Sequence, residues 1–300
     1  FALHIYILDY VSDQLTFDIA GQVATSLRDQ LGELIDMPIT ELVTSIRSPD
    51  MKVYARQHGL YSAQNDPITT MRFEAVTNIQ EHIRIVEGVW PAQTASPEGR
   101  IQVVIHQGLA VKMGIHLGEE FLFQERPEED GIPVRIVGVW TANDEQESFW
   151  FSSPRLEYEG SALLSLDGYK EILQPLLIDQ VSYASYYVIL DQDAAQWQDA
   201  PRYASGIRRL FNALQRQIPA ARMDYAPLEP LERYIVRSQS LQVTLLTVIA
   251  PLVALVLAYL VLMSEISVRR QSQEIATLRS RGSGRFQVVQ LTLVEALLYG

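Results

Sequence analysis

TLLTVIAPLVALVLAYLVLM, residues 244–263, decides how the rest of the chain is read. It lies in a gap of 27 uncharged residues between Arg237 and Glu265. A 20-residue α-helix is about 30 Å long, the thickness of a bilayer's hydrocarbon core. Twelve of these residues are Leu, Ile or Val. On an insertion scale they contribute roughly −4 to −7 kcal/mol before the Thr and Pro penalties. The stretch is therefore expected to cross a membrane. Pro251 does not weaken this, because membrane helices tolerate Pro when neighbours re-satisfy the freed carbonyl. The competing reading is a fully buried helix of a large soluble protein.

Working outward, charge is divided unevenly about this stretch. Up to Arg237 there are 19 Lys and Arg (24 less the five arginines after position 264) against 33 Asp and Glu (36 less Glu265, Glu274 and Glu295), a net charge of −14. The remainder carries +2, with Arg269, Arg270, Arg279, Arg281 and Arg285 in one short segment. Positive residues near membrane ends stay in the cytoplasm. Residues 264–285 are accordingly read as cytoplasmic and residues 1–240 as extracytoplasmic. Arg233 and Arg237 work against this orientation, accompanied by Glu229 and Glu232. An acidic outer part argues against nucleic acid, which needs a basic face. The absence of cysteine excludes disulfides, thiolate metal sites and a cysteine nucleophile. The chain opens mid-pattern at Phe1 and stops at Gly300 inside a second apolar run, so it is read as a segment of a longer protein.

Three hundred residues allow about two domains. Residues 1–11 read either as the tail of a preceding membrane helix or as a first strand. Apolar residues then recur every four positions at Val11, Leu15, Ile19, Val23, Leu27, Leu31 and Ile35. That period predicts a long amphipathic helix, either a stalk rising from the membrane or a helix packed on the domain. MKVYAR (51–56) and MRFEAV (71–76) alternate like strands. Residues 79–91 read as a short helix or turn. Residues 101–124 read as strand, short helix, a turn at Gly114–Gly118, and strand. A charged hairpin loop (125–131) precedes a returning strand at 132–140. Residues 141–160 are acidic and aromatic, with no clear period. ALLSLDGYKEIL (162–173) predicts a strand and a helix capped by Asp167. SYYVILD (185–191) reads as a strand and residues 203–218 as an amphipathic helix. A final helix is expected from about Leu228, running unbroken into the span. The fold class is α+β, expected as two lobes: residues 50–87 with 181–225, and an inserted strand-rich lobe, 88–180.

After the span comes EISVRRQSQEIATLRSRGSGRFQVVQLTLVEALLYG, residues 265–300. It reads as a helix, a glycine break and the start of a second span at 286–300. Arg270 and Glu274 are spaced to pair at i,i+4. Val268, Ile275 and Leu278 form a narrow apolar stripe. Arg279 and Arg281 suit the negative helix end, Gly282 a C′ position, and Ser283 the next N-cap. A short amphipathic helix bracketed by two spans is a docking element, for a partner protein or for the lipid surface. Glu295 lies ten residues past Arg285, about 15 Å along a helix. Such an intramembrane carboxylate suits either an interhelix contact or the relay of motion.

These residues resemble the FtsX/MacB-like permease family, the type VII ABC transporters. The matching steps are Arg269-Arg270, Glu274-Ile275-Ala276, Leu278-Arg279, Gly282-Ser283-Gly284 and Val294-Glu295-Ala296-Leu297, over about 35 residues. A weaker likeness covers Glu87-Gly88-Val89-Trp90, Val103 to Ile105, Ala110 to Gly118 and Ile136-Val137-Gly138-Val139. Met113 and His116 depart from the family's apolar residues there. The resemblance implies a MacB-like core outside and a multi-pass cell-membrane permease. It implies an ATPase, separate or fused, docked at Val268, Arg270, Glu274, Ile275, Leu278 and Arg279. It further implies a second permease copy, or a second half of the same chain. ATP-driven motion would then pass through the membrane to the outer domain and act on a lipoprotein, peptide or other envelope substrate.

Other constellations are absent or weak. There is no GxxxxGK[ST] loop, so the chain does not bind ATP by that route, and no GxSxG or HExxH. The histidines at 4, 58, 82, 106 and 116 share no ligand spacing. No catalytic, cofactor or metal residue is assigned. Glu125, Glu128, Glu129 and Asp130 are read as a solvated loop tip rather than a calcium site. The four tryptophans are read as packing rather than a substrate surface. The rival function is a membrane-anchored outer sensor or adaptor with no ATPase, and an anchored enzyme stands third.

Overall fold

β1 (Ala2–Leu8) decides the first alternative, because the N-terminal residues form a strand. The structure, a computed structural model, describes residues 2–8, 15–35, 39–57, 60–61, 66–91, 99–126, 130–177, 181–191, 193–280 and positions 286, 289, 290 and 294. The chain continues through α1 (Phe17–Leu34), β2 (Ile39–Arg47), β3 (Met51–Gln57), β4 (Leu60–Tyr61), β5 (Thr69–Val76), α2 (Ile79–His82) and β6 (Ile83–Gly88). Then come β7 (Ile101–His106), α3 (Gln107–Met113), β8 (Glu120–Gln124), β9 (Ile132–Ala142), α4 (Pro154–Tyr158) and β10 (Ser161–Leu164). A short α5 (Leu166–Gly168) runs on as helical turns to Leu176, followed by β11 (Tyr183–Leu190), α6 (Ala200–Gln217), β12 (Ala221–Tyr225) and α7 (Leu228–Ser280). The chain divides into two compact units, Phe1–Tyr234 and Ile235–Gly300.

In the first unit one sheet does two things. Its order is β12-β1-β11-β2-β5-β10-β7-β9-β8-β3-β4, and β3 also pairs with β5. The last pairing closes β5, β10, β7, β9, β8 and β3 into a six-stranded ring, while β2, β11, β1 and β12 continue as an open sheet. β2 and β3 are the arms of one sharply bent strand, since both pair with β5: Arg47 opposite Glu74, and Met51 opposite Met71. The corner is Ser48, whose N–H donates to the Phe73 carbonyl at 2.9 Å and whose Oγ accepts from Phe73 N at 3.0 Å. A buried backbone corner needs such partners. Register places Phe73, Ala162, Ile105, Val134, Phe123 and Val53 on one buried face of the ring. The Phe73 and Phe123 rings lie 5.0 Å apart.

The ring corrects the expected two lobes. Strands β3 and β5, assigned to one lobe, close on β7 to β10, assigned to the other. The sheet runs through both stretches without a boundary. What stands is a mixed α and β unit followed by one long apolar helix.

The period-four pattern does give α1, capped by Thr16 Oγ1, which accepts from Ile19 N at 3.3 Å. Its apolar stripe, Ala20, Val23, Leu27 and Leu31, is buried. Each buried Val or Leu is worth about 1.5–3 kcal/mol. Tyr186 Oη on β11 donates to the Ala20 carbonyl at 2.8 Å. α1 is therefore the packed helix of the two alternatives, not a stalk; Val11 lies outside the described residues. A Cβ on Gly206 of α6 would run into the Leu34 carbonyl, so glycine there permits the close approach of α6 to α1. At the start of α5 the cap is Ser165, whose Oγ accepts from Gly168 N at 3.0 Å, in place of the expected Asp167.

α7 is a single 53-residue helix with Pro251 inside it. Its Leu228–Ile266 stretch is long and apolar enough to cross a membrane, and none of the apolar window is buried. That is the opposite of a soluble core helix. Gly282, Ser283 and Glu295 lie outside the described residues.

Candidate functional site

Strand alternation brings a row of polar side chains onto one face of the open sheet. In antiparallel pairs, opposite residues share a face. Tyr6 is opposite Ser185, Ser185 opposite Ser45, Tyr183 opposite Arg47, and Arg47 opposite Glu74. On the far side of β5, Arg72 is opposite Ser161. Polar residues thus cross from β12 to β10, through the junction where open sheet meets ring.

At the inner end Glu74 is fully buried. Its Oε1 accepts from Ser45 Oγ at 2.5 Å and from Arg47 Nε at 2.7 Å, and its Oε2 accepts from Ser161 Oγ at 2.5 Å. Arg72 Nε is 3.8 Å from Oε2. Arg47 also donates to Glu157 Oε1 at 3.0 Å and lies over the Tyr183 ring at 4.8 Å. Burial opposes the Arg47 charge, but the Glu74 carboxylate and its hydrogen bond, helped by Glu157, outweigh that and raise its pKa further. Arg72 Nη2 donates to the Glu157 carbonyl at 2.8 Å. The network fastens the segment around Glu157 over the sheet. That segment belongs to the aperiodic stretch 141–160, whose aromatics now have places. Trp150 and Phe149 join a buried cluster with Trp140, Tyr158 and Val104.

At the outer end Asp224, His4 and Ser185 form an Asp–His–Ser chain. Asp224 Oδ1 is 2.6 Å from His4 Nδ1, and Ser185 Oγ is 2.8 Å from His4 Nε2. These contacts have the connectivity of a nucleophilic triad. Two features oppose that use. Ser185 and His4 are 5% and 2% exposed, with the Phe151 ring stacked 3.9 Å from His4. β11 is also paired along both edges, so the N–H groups around Ser185 are committed to ladders and offer no oxyanion donors. As built, the trio ties β12, β1 and β11 together. Sequence reasoning missed it because Asp224 and His4 are 220 positions apart.

His106 ends β7 and caps α3, its Nδ1 accepting from Gly108 N at 2.9 Å. Burial lowers its pKa below the ordinary 6.5, against Glu159 and, more weakly, Glu145, and with help from Arg155. Protonation would also remove the Nδ1 acceptor. A histidine with a depressed folded-state pKa contributes stability that is present above the unfolded pKa of 6.5 and lost as pH falls through the folded value. His106→Asn keeps a capping acceptor without a titrating group. Its thermal midpoint is expected to fall less than that of the wild type between pH 7 and pH 5. Equal slopes for the two proteins would show that His106 does not titrate against the fold.

The six docking residues, Val268, Arg270, Glu274, Ile275, Leu278 and Arg279, all lie on α7. On the same helix Glu265 pairs with Arg269 at 2.7 Å. Of the four tryptophans, Trp140 and Trp150 are buried as read, whereas Trp197 is exposed. Among the described residues no group of three or more His, Asp or Glu is placed to hold a metal.

No protein-family model matches the chain, and no curated protein matches it. Among solved structures it is similar to a domain of a protein from Porphyromonas gingivalis provisionally described as a permease. The identity is 14% and the TM-score 0.33, over 74% of this chain and 86% of that one. A superposition of that quality carries no functional argument.

Proposed function

We propose that this chain is part of the permease subunit of an ABC transporter, with residues 1–240 outside the cell membrane and residues 264–285 in the cytoplasm. In this reading α7 passes motion from a cytoplasmic ATPase to the outer unit, which acts on a lipoprotein, peptide or other envelope substrate. A second permease copy, or a second half of the chain, completes the assembly. The observation that supports it is α7 itself: one helix, Leu228–Ser280, holds the end of the outer unit, the apolar span and most of the Arg-rich segment. The family-like residues of that segment supply the docking element. An anchor for a sensor has no need of such a segment leading toward a second apolar run.

The docking surface is tested by Glu274→Ala with Leu278→Ala. A lipid role for the five arginines rests on positive charge, about 1 kcal/mol each, and tolerates both changes. A protein interface loses an apolar anchor and a charged contact together. The double variant is expected to insert normally in membranes but to lose its ATPase on pull-down. ATPase recovery at the wild-type level would remove the docking hypothesis.

A further inference from the structure

A cavity of about 640 Å³ opens where β12 hands over to α7, with every lining residue in the first unit. Its walls include two large aromatics that the fold leaves exposed, Trp197 at 57% and Tyr225 at 54%. Trp197 is held in place by Tyr234, ring centroids 5.3 Å apart. Three carboxylates share the lining, Asp193, Asp224 and Glu229, with one cation, Arg233. Arg233 is 3.2 Å from Glu229, which accounts for one carboxylate. Asp224 binds His4 on its inner side yet keeps 45% of its side chain exposed. Asp193 has no ion-pair partner among the described residues. The cavity is thus aromatic-walled, and its lining carries excess negative charge.

We propose that this cavity binds an alkylammonium or guanidinium group. The volume is that of an ordinary small-ligand site. Exposed Trp and Tyr faces attract organic cations, and carboxylates fix them by charge-assisted hydrogen bonds. A bare metal ion fits less well: the carboxylates do not converge as a ligand set, and aromatic walls add nothing to a hydrated divalent ion. Asp224 belongs both to the cavity and to the polar row, so occupancy is felt at His4. The site is independent of the ATPase reading, because no residue of the docking segment takes part.

The test is calorimetric titration of Nα-acetyl-argininamide (argininamide below) into the full chain held in phosphatidylglycerol nanodiscs, with its uncharged isostere Nα-acetyl-citrullinamide (citrullinamide below) as control. Saturable binding of argininamide is expected, with citrullinamide at least tenfold weaker. Trp197→Ala and Asp193→Asn should each weaken argininamide at least tenfold; Trp197→Phe, which keeps an aromatic face, should weaken it less. Repeating the titration in phosphatidylethanolamine nanodiscs separates two sources of the cation. A drop in apparent affinity there that persists at about 0.5 M salt, where attraction to the anionic discs is screened, assigns the site to a lipid headgroup ammonium, and an unchanged affinity to a soluble cation. The proposal is overturned if neither argininamide nor spermidine binds saturably. It is equally overturned if binding survives both Trp197→Ala and Asp193→Asn, which would mark diffuse attraction to an acidic surface.

Discussion

Glu74→Ala is expected to cost the first unit about 3–5 kcal/mol, the range for removing one partner of a buried ion pair. The substitution leaves Arg47 and Arg72 facing an empty site, and it removes the acceptor of both Ser45 Oγ and Ser161 Oγ. Arg47 is left with Glu157 as its one carboxylate and Arg72 with the Glu157 carbonyl, so most of that cost is buried donors that lose their charged acceptor. At roughly 2–4 °C per kcal/mol for a unit of this size, the thermal midpoint should fall by about 10 °C. Glu74→Gln keeps one acceptor oxygen and should fall between the variant and the wild type. Arg47→Met with Glu74→Leu removes both charges and should recover part of the loss. Tryptophan fluorescence reads the transition directly, since Trp140 and Trp150 are buried in the cluster beneath the Glu157 segment. A Glu74→Ala midpoint within 2 °C of the wild type would show that the junction is not held by this network.

How much of this was legible in the sequence follows from how local each determinant is. The long apolar helix was legible because hydropathy over 20 residues needs no partner. The run β7, α3, β8, β9 was legible because its turn is written locally: Gly114 and Gly118 take φ of +65° and +84°, and the strands alternate. β2 escaped notice because Leu42 to Ile46 are buried on both faces, which erases the period-two signal. β12, ARMDY, is short and polar, and becomes a strand only because β1 offers it an edge. Ring closure depends on β3 meeting both β5 and β8, a long-range choice that no window of sequence contains. The same holds for Asp224–His4–Ser185 and for Glu74. Each residue is ordinary in its own strand and acquires a role only through register. Segment 141–160 looked aperiodic because its aromatics dock one at a time across the sheet rather than along one face of an element.

The largest functional effect is expected from α7. Under the proposed transporter function, inserting two glycines after Ser238 should abolish the activity of the intact complex while leaving assembly and ATP hydrolysis near wild type. No Gly lies between Leu228 and Ser280, and Pro251 is the only proline in the helix after Pro230. An undisturbed helix carries both rotation and displacement along its axis. Two added residues rotate everything downstream by about 200° and lengthen the helix by about 3 Å. Glycine also weakens the helix by about 1 kcal/mol per residue at the point where torque must pass. The insertion therefore attacks transmission and leaves the proposed docking residues, 268–279, untouched. A seven-residue alanine-rich insertion at the same place separates phase from length. It adds nearly two whole turns, restores the facing of the span to within about 20°, and keeps the helix stiff. If α7 works by rotation, the seven-residue variant regains activity that the diglycine variant lacks. The measurement pairs ATP hydrolysis by the purified complex with rescue of cells that carry the variant as their only copy. Full rescue by the diglycine variant would show that motion does not travel through this helix, whatever binds at its C-terminal end.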